Sequence, residues 1–204
     1  EAERIYEMRL KHSEVSDPKE IERILALTNI GRLATSGQDG YPYITPLNFV
    51  SMKGNIYFHC APKGEKLDNL RRDPRVCFEV DLPLSYIDIG LDPSRPICHL
   101  HQYYHCVIIR GSAAVVKDSI LKVTALNALI AKHENTDAFT PVTADMPACK
   151  ACEVIEVKPV SVTAKSDLGQ NVPEENRKAI AQYLFNRNQP GDREAVVDMG
   201  YDFK

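Results

Sequence analysis

The stretch YPYITPLNFVSMKGNIYFHC, Tyr41 to Cys60, decides the fold of this chain. Its aromatic and β-branched residues have the composition of β-strands, and the Lys-Gly pair at 53–54 predicts a turn between two runs. Pro42 and Pro46 lie inside the first run, although proline cannot donate a hydrogen bond to a neighbouring strand. The stretch therefore predicts an irregular strand followed by a regular one.

The two prolines have two interpretations. In the first, which composition alone favours, they blunt the edge of a sheet against pairing with another chain. In the second, they prevent regular pairing, so that nearby amides such as those of Leu47 and Asn48 remain available to another acceptor. A flat heteroaromatic ligand with carbonyl and ring-nitrogen acceptors would suit the second interpretation. The residues leave both open.

The rest of the chain predicts an antiparallel barrel with peripheral helices. Helices are expected over 17–31 (with Gly31 as its stop), 64–73, 119–134 and 172–191, and strands over 32–37, 75–81, 103–116 and 151–165. Residues 82–97 are expected to form a loop with room for extended pieces, and the chain to finish in an irregular end. Four or five strands precede any long helix, which argues against a doubly wound sheet. We expect residues 1–170 to form one domain and 171–204 a C-terminal helical extension packed on it.

Composition excludes several classes of protein. The net charge of −3 lacks the basic footprint of a nucleic-acid binder, and no GxGxxG or P-loop motif predicts a nucleotide fold. No apolar run approaches the ~18 residues of a membrane span, and the charged start EAERIYEMRLKH lacks a signal-peptide core. We therefore expect a soluble, cytoplasmic protein. The six cysteines are too sparse for a disulfide scaffold and predict thiols or metal ligands.

A basic cluster follows the second strand of the stretch. Its members are Lys63, Lys66, Arg71, Arg72 and Arg75. Gly64 permits a close backbone approach at a helix start, and lysine and arginine side chains there suit a phosphate. Acidic residues are interleaved with the basic ones, which is typical of a solvated helix face. The pattern alone supports either interpretation.

Two segments combine cysteine and histidine. The segment CHLHQYYHC spans 98–106, and CKAC spans 149–152 with metal-knuckle or redox spacing. Together they could supply four zinc ligands, but alternation along a strand would point some of these side chains apart. Ordinary thiols are the favoured interpretation, and no metal ligand is assigned.

The order of motifs from Gly31 to Asp81 is specific. The elements GRLAT, DGYPYITPLNF, IYFH and GEKLDNLRRDPRVCFEV, with YYHCVIIRGSAAVV more weakly, resemble the FMN-binding split-barrel family related to pyridoxamine 5′-phosphate oxidase. Within that family they most resemble the nitroimidazole-resistance branch. The resemblance implies a six-stranded antiparallel split β-barrel, a homodimer, and one FMN in each of two clefts at the subunit interface.

The resemblance also implies a set of site residues. Those expected to bind the cofactor are Arg32, Thr45, Pro46, Leu47, Asn48, His59, Cys60, Lys63 and Lys66. Residues 45–48 would lie along the isoalloxazine ring, and Lys66 would hold the phosphate, with Lys63 and Arg32 as weaker candidates. His59 would approach the flavin as proton donor or substrate contact, because imidazole exchanges a proton near neutral pH.

The function implied is an FMN-dependent oxidoreductase that passes hydride or electrons to a small oxidised substrate such as a nitroaromatic compound. Related split barrels carry other activities, so the fold does not fix the substrate. One alternative is a non-enzymatic flavin- or haem-binding protein that uses the histidine-rich segment. Another is a zinc-stabilised module whose basic cluster is only surface.

Overall fold

A computed structural model describes residues 8–94, 96–134 and 138–204, apart from the side chain of Cys98. Its strands are β1 (Glu14–Val15), β2 (Ile30–Ser36), β3 (Pro42–Asn48), β4 (Val50–Met52), β5 (Asn55–Cys60), β6 (Arg75–Ile87), β7 (His101–Val115) and β8 (Glu153–Asp167). Its helices are α1 (Pro18–Leu27), α2 (Glu65–Arg72), α3 (Ser119–His133), α4 (Pro147–Ala151), α5 (Glu174–Arg187) and α6 (Asp192–Asp198), with short 3-10 helices at Lys11–Ser13 and Ile97–His99. None of the helices in these ranges is long and apolar enough to cross a membrane.

The strands form one sheet in the order β3-β2-β6-β7-β8-β5-β4, with β1 paired to β8. Strand β2 pairs antiparallel with β3 and β6, β5 with β4 and β8, and β1 with β8. The end strands β3 and β4 are separated by Phe49 alone, so one chain segment belongs to both ends of the order. The predicted class, a mainly antiparallel split barrel with peripheral helices, is confirmed, although the described residues form eight strands rather than six.

The end of the first helix differs from the prediction. Helix α1 ends at Leu27, and Gly31, predicted as its stop, lies in β2. A Cβ atom at Gly31 would lie 2.1 Å from the ring of Phe78, so the glycine permits close contact between strand and ring. Thr28 directly follows the last helical residue, and its hydroxyl donates to the carbonyl of Ile24 at 2.9 Å.

Two further predictions were wrong in part, because side-chain burial outweighs the local sequence pattern in these segments. Strand β6 continues without a break to Ile87 through an exposed Pro83, where the prediction was a loop over 82–97 with extended pieces. Leu84 and Ile87 are buried in a core, which keeps this segment extended. The irregular end contains α6, whose first residue, Asp192, is fully buried and bonded to Arg187.

The chain divides into two compact units. One comprises residues 18–80 and 107–162, and it contains β2 to β5 and helices α1 to α4. A core of this unit packs α3 side chains such as Ala125 and Leu129 with Tyr57 and Val154. The other comprises the described residues within 8–17, 81–106 and 163–204, and its core includes Tyr103, Ile180 and Leu184. Helices α5 and α6 therefore belong to the unit that also holds the end of β6.

Candidate functional site

The pairing of β3 with β2 shows which way its backbone groups point. The Gly37 N–H donates to the carbonyl of Tyr41 at 2.8 Å, and the register continues without interruption to Ile30 opposite Asn48. Hydrogen-bonded and non-hydrogen-bonded pairs alternate in an antiparallel ladder. The backbone of Leu47, opposite Gly31, therefore faces β2, and that of Asn48 faces away from it.

The same alternation explains the prolines. Pro42 and Pro46 both occupy positions whose N–H would face away from β2, so neither removes a bond from that ladder. Because β3 ends the strand order, these positions lie on the outer side of an edge strand, as the edge interpretation predicts. The outward donors that remain on β3 are the amides of Ile44 and Asn48. The Leu47 amide was expected to remain available to another acceptor, and this was wrong because it faces β2. The same expectation for the Asn48 amide agrees with the register.

The junction between β3 and β4 is held by the end of α3. The Nδ2 atom of Asn48 lies 3.2 Å from the carbonyl oxygen of Asn29 and 3.4 Å from Nδ1 of His133. The other ring nitrogen of His133 lies 3.2 Å from the Phe49 carbonyl oxygen. Lys132 places its ammonium 3.6 Å from the centroid of the Phe49 ring. Sequence reasoning missed His133 and Lys132, because no motif links them to a strand 85 residues away.

Thr45, another predicted site residue, has an unsatisfied hydroxyl. Its Oγ1 atom is buried and has no hydrogen-bond partner among the described residues. Leaving a buried polar group unpaired costs about 1–3 kcal/mol. An unpaired hydroxyl on the edge strand is the kind of group that a bound ligand would satisfy.

The end of β5 brings three predicted side chains together. His59 is exposed, and within the described part of the chain no hydrogen bond holds its ring. Cys60 is half-buried; burial raises the pKa of its thiol, and the charge of Lys66 opposes this rise. The Lys66 ammonium also lies 5.1 Å from the centroid of the Phe58 ring. The strand end and the start of α2 thus form one site.

The start of α2 is open to an anion. Gly64 precedes the helix with φ 133°, a conformation that favours glycine, and a Cβ atom there would have nothing within 4 Å. Its carbonyl accepts the amides of Leu67 and Asp68, so the amides of residues 65 and 66 precede the first helical bonds. Such amides, with the positive end of the helix dipole, bind phosphates. Lys66 adds a charge at the same place.

The remaining cations of the basic cluster have local partners. Arg71 is paired with Asp68 at 2.7 Å, and Arg75 with Asp73 at 2.7 Å, which holds the pKa of that aspartate at about 2. Arg72 donates to Asn69 and to the carbonyl of Ser36. Among the described residues no carboxylate pairs with Lys63 or Lys66. These two lysines are therefore the cations available to a ligand.

Arg32 lies on β2 opposite Pro46, and its guanidinium is 3.2 Å from a carboxylate oxygen of Glu79 on β6. A cleft of about 600 Å³ opens nearby on the same unit, a volume typical of small-molecule sites. It is lined by Ala34, Thr35, Ser36, Gly40, Pro42, Arg75, Val76, Cys77, Arg110, Gly111 and Val160. The cleft includes none of the predicted site residues.

The histidine and cysteine segments form no metal centre within the described residues, where no three potential ligands converge. His105 is buried, with its ring nitrogens 2.6 Å from the Ser166 hydroxyl and 2.7 Å from an Asp198 carboxylate oxygen. Cys149 and Cys152 are free thiols. The side chain of Cys98 lies outside the described residues.

Comparisons with known proteins agree with this fold. A family model described as pyridoxamine 5′-phosphate oxidase matches residues 17–166, whereas no curated protein matches the chain. A protein of Bacteroides thetaiotaomicron, described as a candidate 5-nitroimidazole antibiotic resistance protein, is similar with 23% identity and a TM-score of 0.63, covering 75% of this chain and 86% of its own.

Two other solved structures are similar over a larger share of the chain. A flavocytochrome of Azotobacter vinelandii is 19% identical with a TM-score of 0.69, covering 87% of this chain and 80% of its own. An FAD and haem binding protein of Mycobacterium smegmatis is 15% identical with a TM-score of 0.66, covering 82% and 79%. At these identities the structural similarity establishes the fold.

Proposed function

The chain belongs to the pyridoxamine 5′-phosphate oxidase family, and from this premise we propose that it binds FMN and passes hydride or electrons to a small oxidised substrate. Flavin is named in the descriptions of two of the similar structures, the flavocytochrome and the FAD and haem binding protein. The observation that carries the proposal is the open anion site at Gly64 and Lys66, in the same unit as the outward donors of β3.

The residues present fit a flavin mononucleotide. A single phosphate needs one anion site, and the start of α2 with Lys66 provides one. The outward amides of Ile44 and Asn48 suit a ring with carbonyl and nitrogen acceptors, and the unpaired Thr45 hydroxyl offers another polar contact. Bound FMN supplies the hydride or electron transfer, while the protein orients and protects it.

His59 is the candidate catalytic residue. Its exposed imidazole lies at the end of the strand that also carries Cys60, and no described side chain occupies its ring nitrogens. An imidazole N–H in this position can donate a proton or a hydrogen bond to a substrate that accepts electrons. A nitroaromatic compound is the substrate class we propose, on the resemblance to nitroimidazole-resistance proteins.

We further propose that the protein is a homodimer. The unit that holds the site exposes large apolar side chains: Tyr41 is 75% exposed, Ile44 59% and Val160 71%. Exposed apolar side chains of this size would lose their contact with water if a second copy covered them. A second copy of the chain on this surface would complete the clefts that the family resemblance implies.

Haem binding through His105 finds less support in the described residues. The buried His105 is already bonded through both ring nitrogens, to Ser166 and Asp198. A haem ligand would need one of these nitrogens free. A flavin-binding protein without turnover is the alternative that an experiment must separate from an enzyme.

The test begins with the absorbance spectrum of the purified protein, before and after reconstitution with FMN, FAD or riboflavin. We expect a stoichiometric flavin spectrum and tighter binding of FMN than of riboflavin. Anaerobic reduction of the bound flavin by NAD(P)H, followed by reoxidation with a nitroaromatic acceptor, separates an enzyme from a binder. Failure to bind any flavin after reconstitution would refute the proposal. Light scattering of the same sample tests the homodimer.

A further inference from the structure

The hydrogen bonds around His133 define its tautomer. The Phe49 carbonyl oxygen can only accept, so the ring nitrogen 3.2 Å from it, Nε2, carries the proton. In the neutral ring the other nitrogen, Nδ1, is then an acceptor, and it lies 3.4 Å from Nδ2 of Asn48. His133 is thus a donor to the main chain at Phe49 and an acceptor for the Asn48 side chain.

The same reasoning defines the amide orientation of Asn48. The carbonyl oxygen of Asn29 can only accept, so the nitrogen end of the Asn48 amide faces it, at 3.2 Å. Nδ2 donates one hydrogen to the Asn29 carbonyl and the other to Nδ1 of His133, so the side-chain amide has no further hydrogen to donate. The Oδ1 atom has no partner among the described residues, and the Asn48 side chain is exposed.

Asn48 therefore has one donor and one acceptor for which the described residues supply no partner. Its backbone N–H faces away from β2, as the register requires, and its Oδ1 is a free acceptor. A donor and an acceptor on one residue match an imide, in which a carbonyl stands next to an N–H. The isoalloxazine ring of a flavin has such an imide at its pyrimidine edge, whereas haem has none.

We propose that Asn48 recognises the imide edge of the flavin and that His133 is a positioning residue, which holds the Asn48 amide with Oδ1 turned outward. This inference rests on the proposed function and names the part of the cofactor that the residue selects. The position of His133 is itself secured, because the adjacent Lys132 packs on the ring of the fully buried Phe49 and donates to the Leu25 carbonyl at 2.9 Å. The end of α3 is thus anchored on both sides of the junction.

The experiment compares the dissociation constants of FMN and of FMN methylated at N3, which lacks the imide N–H. The variants are Asn48→Ala, His133→Phe, which has no polar atom, and His133→Gln, whose amide can both donate to Phe49 and accept from Asn48. His12→Phe, at another exposed histidine, is the matched control. Equilibrium titration monitored by flavin absorbance provides the constants, and no turnover is needed.

We expect the wild type, His133→Gln and His12→Phe to bind FMN about three- to tenfold more tightly than the methylated form, which is the range for one neutral hydrogen bond. Asn48→Ala and His133→Phe should bind the two forms equally. A purely structural role of His133 would lower the melting temperature without changing this ratio. Because the Asn48 side chain is exposed, its variant tests the proposal even where His133→Phe does not fold.

Equal binding of both forms by the wild type, or a wild-type ratio in Asn48→Ala, would overturn the assignment of Asn48 while leaving flavin binding intact. A wild-type ratio in folded His133→Phe would overturn the positioning role. Absence of any flavin binding by the wild type would instead refute the proposed function, and this inference with it. The two failures are therefore distinguishable.

Discussion

Replacement of Arg187 by leucine should destabilise the unit that contains α5 and α6. The Arg187 side chain is 11% exposed, and its guanidinium donates to both oxygens of Asp192, at 2.7 Å and 3.0 Å. It also donates to the Ser85 hydroxyl and to the carbonyl of Tyr86, each at 3.0 Å, and pairs with Asp88. One side chain thus joins β6 to both helices.

The loss of stability in Arg187→Leu depends on the partners that the Asp192 carboxylate keeps. Asp192 is fully buried, so in Arg187→Leu its carboxylate would retain only the Ser85 hydroxyl and the amide of Gln189. Removing one partner of a buried ion pair typically costs about 3–5 kcal/mol of the free energy of unfolding. At about 2–4 °C per kcal/mol for a chain of this size, the melting temperature should fall by roughly 6–20 °C.

The loss of stability in Arg187→Leu should depend on pH. Burial pushes the pKa of Asp192 upward, but hydrogen bonds from Arg187 and Ser85 outweigh it and hold the pKa below its usual value. In the wild type this aspartate therefore stabilises the fold above a pH of about 4, and the stabilisation is lost as the pH falls through the lower, folded pKa. Without Arg187, burial dominates and raises the pKa of Asp192. The loss of stability caused by its buried, unpaired carboxylate should therefore become smaller as the pH falls from 7 toward 4.

Denaturant unfolding of wild type and variant at several pH values measures both effects. Arg193→Leu is the matched control, because Arg193 is exposed and bonds Asn188 alone at 2.7 Å apart from its contact with the Phe185 ring. Adding Asp192→Asn to Arg187→Leu should recover part of the loss, since it removes the buried charge. If Arg187→Leu is as stable as Arg193→Leu, or if the second change recovers nothing, the reasoning is refuted.

Three further predictions concern the candidate site. Lys66→Ala should weaken FMN binding roughly ten- to a hundredfold, because a charge-assisted hydrogen bond is worth about 1.5–3 kcal/mol; equal affinity for Lys66→Ala and the exposed control Lys117→Ala in a titration would contradict this. His59→Ala should keep its flavin and melting temperature while turnover falls by roughly 10² to 10⁴, and wild-type reoxidation kinetics would show that another residue acts. Burial lowers the pKa of Lys132 to about 8, so the unfolded chain binds more protons above that pH; the free energy of unfolding should rise from about pH 8 to 10, and this rise should be absent in Lys132→Met.

The parts of the fold set by local pattern could be predicted from the sequence. The Lys-Gly turn, the alternation of residues 75–80 in β6 and the helical spacing of α3 are properties of neighbouring residues, and each predicted element is present. The continuation of β6 through Pro83 could not be predicted, because it depends on the burial of Leu84 and Ile87 against residues distant in sequence. Tertiary burial there outweighs a local turn signal.

The candidate site also contains some features that are set by neighbouring residues and others that depend on distant ones. The candidate anion site at Gly64 and Lys66 is local, and the basic cluster indicated it. The sequence did not reveal which of the five cations have partners, since that depends on carboxylates and carbonyls placed by the fold. The bond between Asn48 and His133 joins residues 85 apart, and a histidine near a helix end has no distinguishing pattern.

The prolines of β3 show how a sequence spacing can encode the direction of a backbone group. Backbone N–H groups alternate sides along a strand with a period of two, so prolines four residues apart remove donors from the same side. Had Pro46 stood at position 45 or 47, it would have removed a bond to β2. At its actual position it removes an outward donor instead, so another strand pairing at this edge would meet gaps at Pro42 and Pro46. The edge is thereby closed to strand addition yet keeps the donors of Ile44 and Asn48, so the two interpretations of the prolines describe one property of the strand.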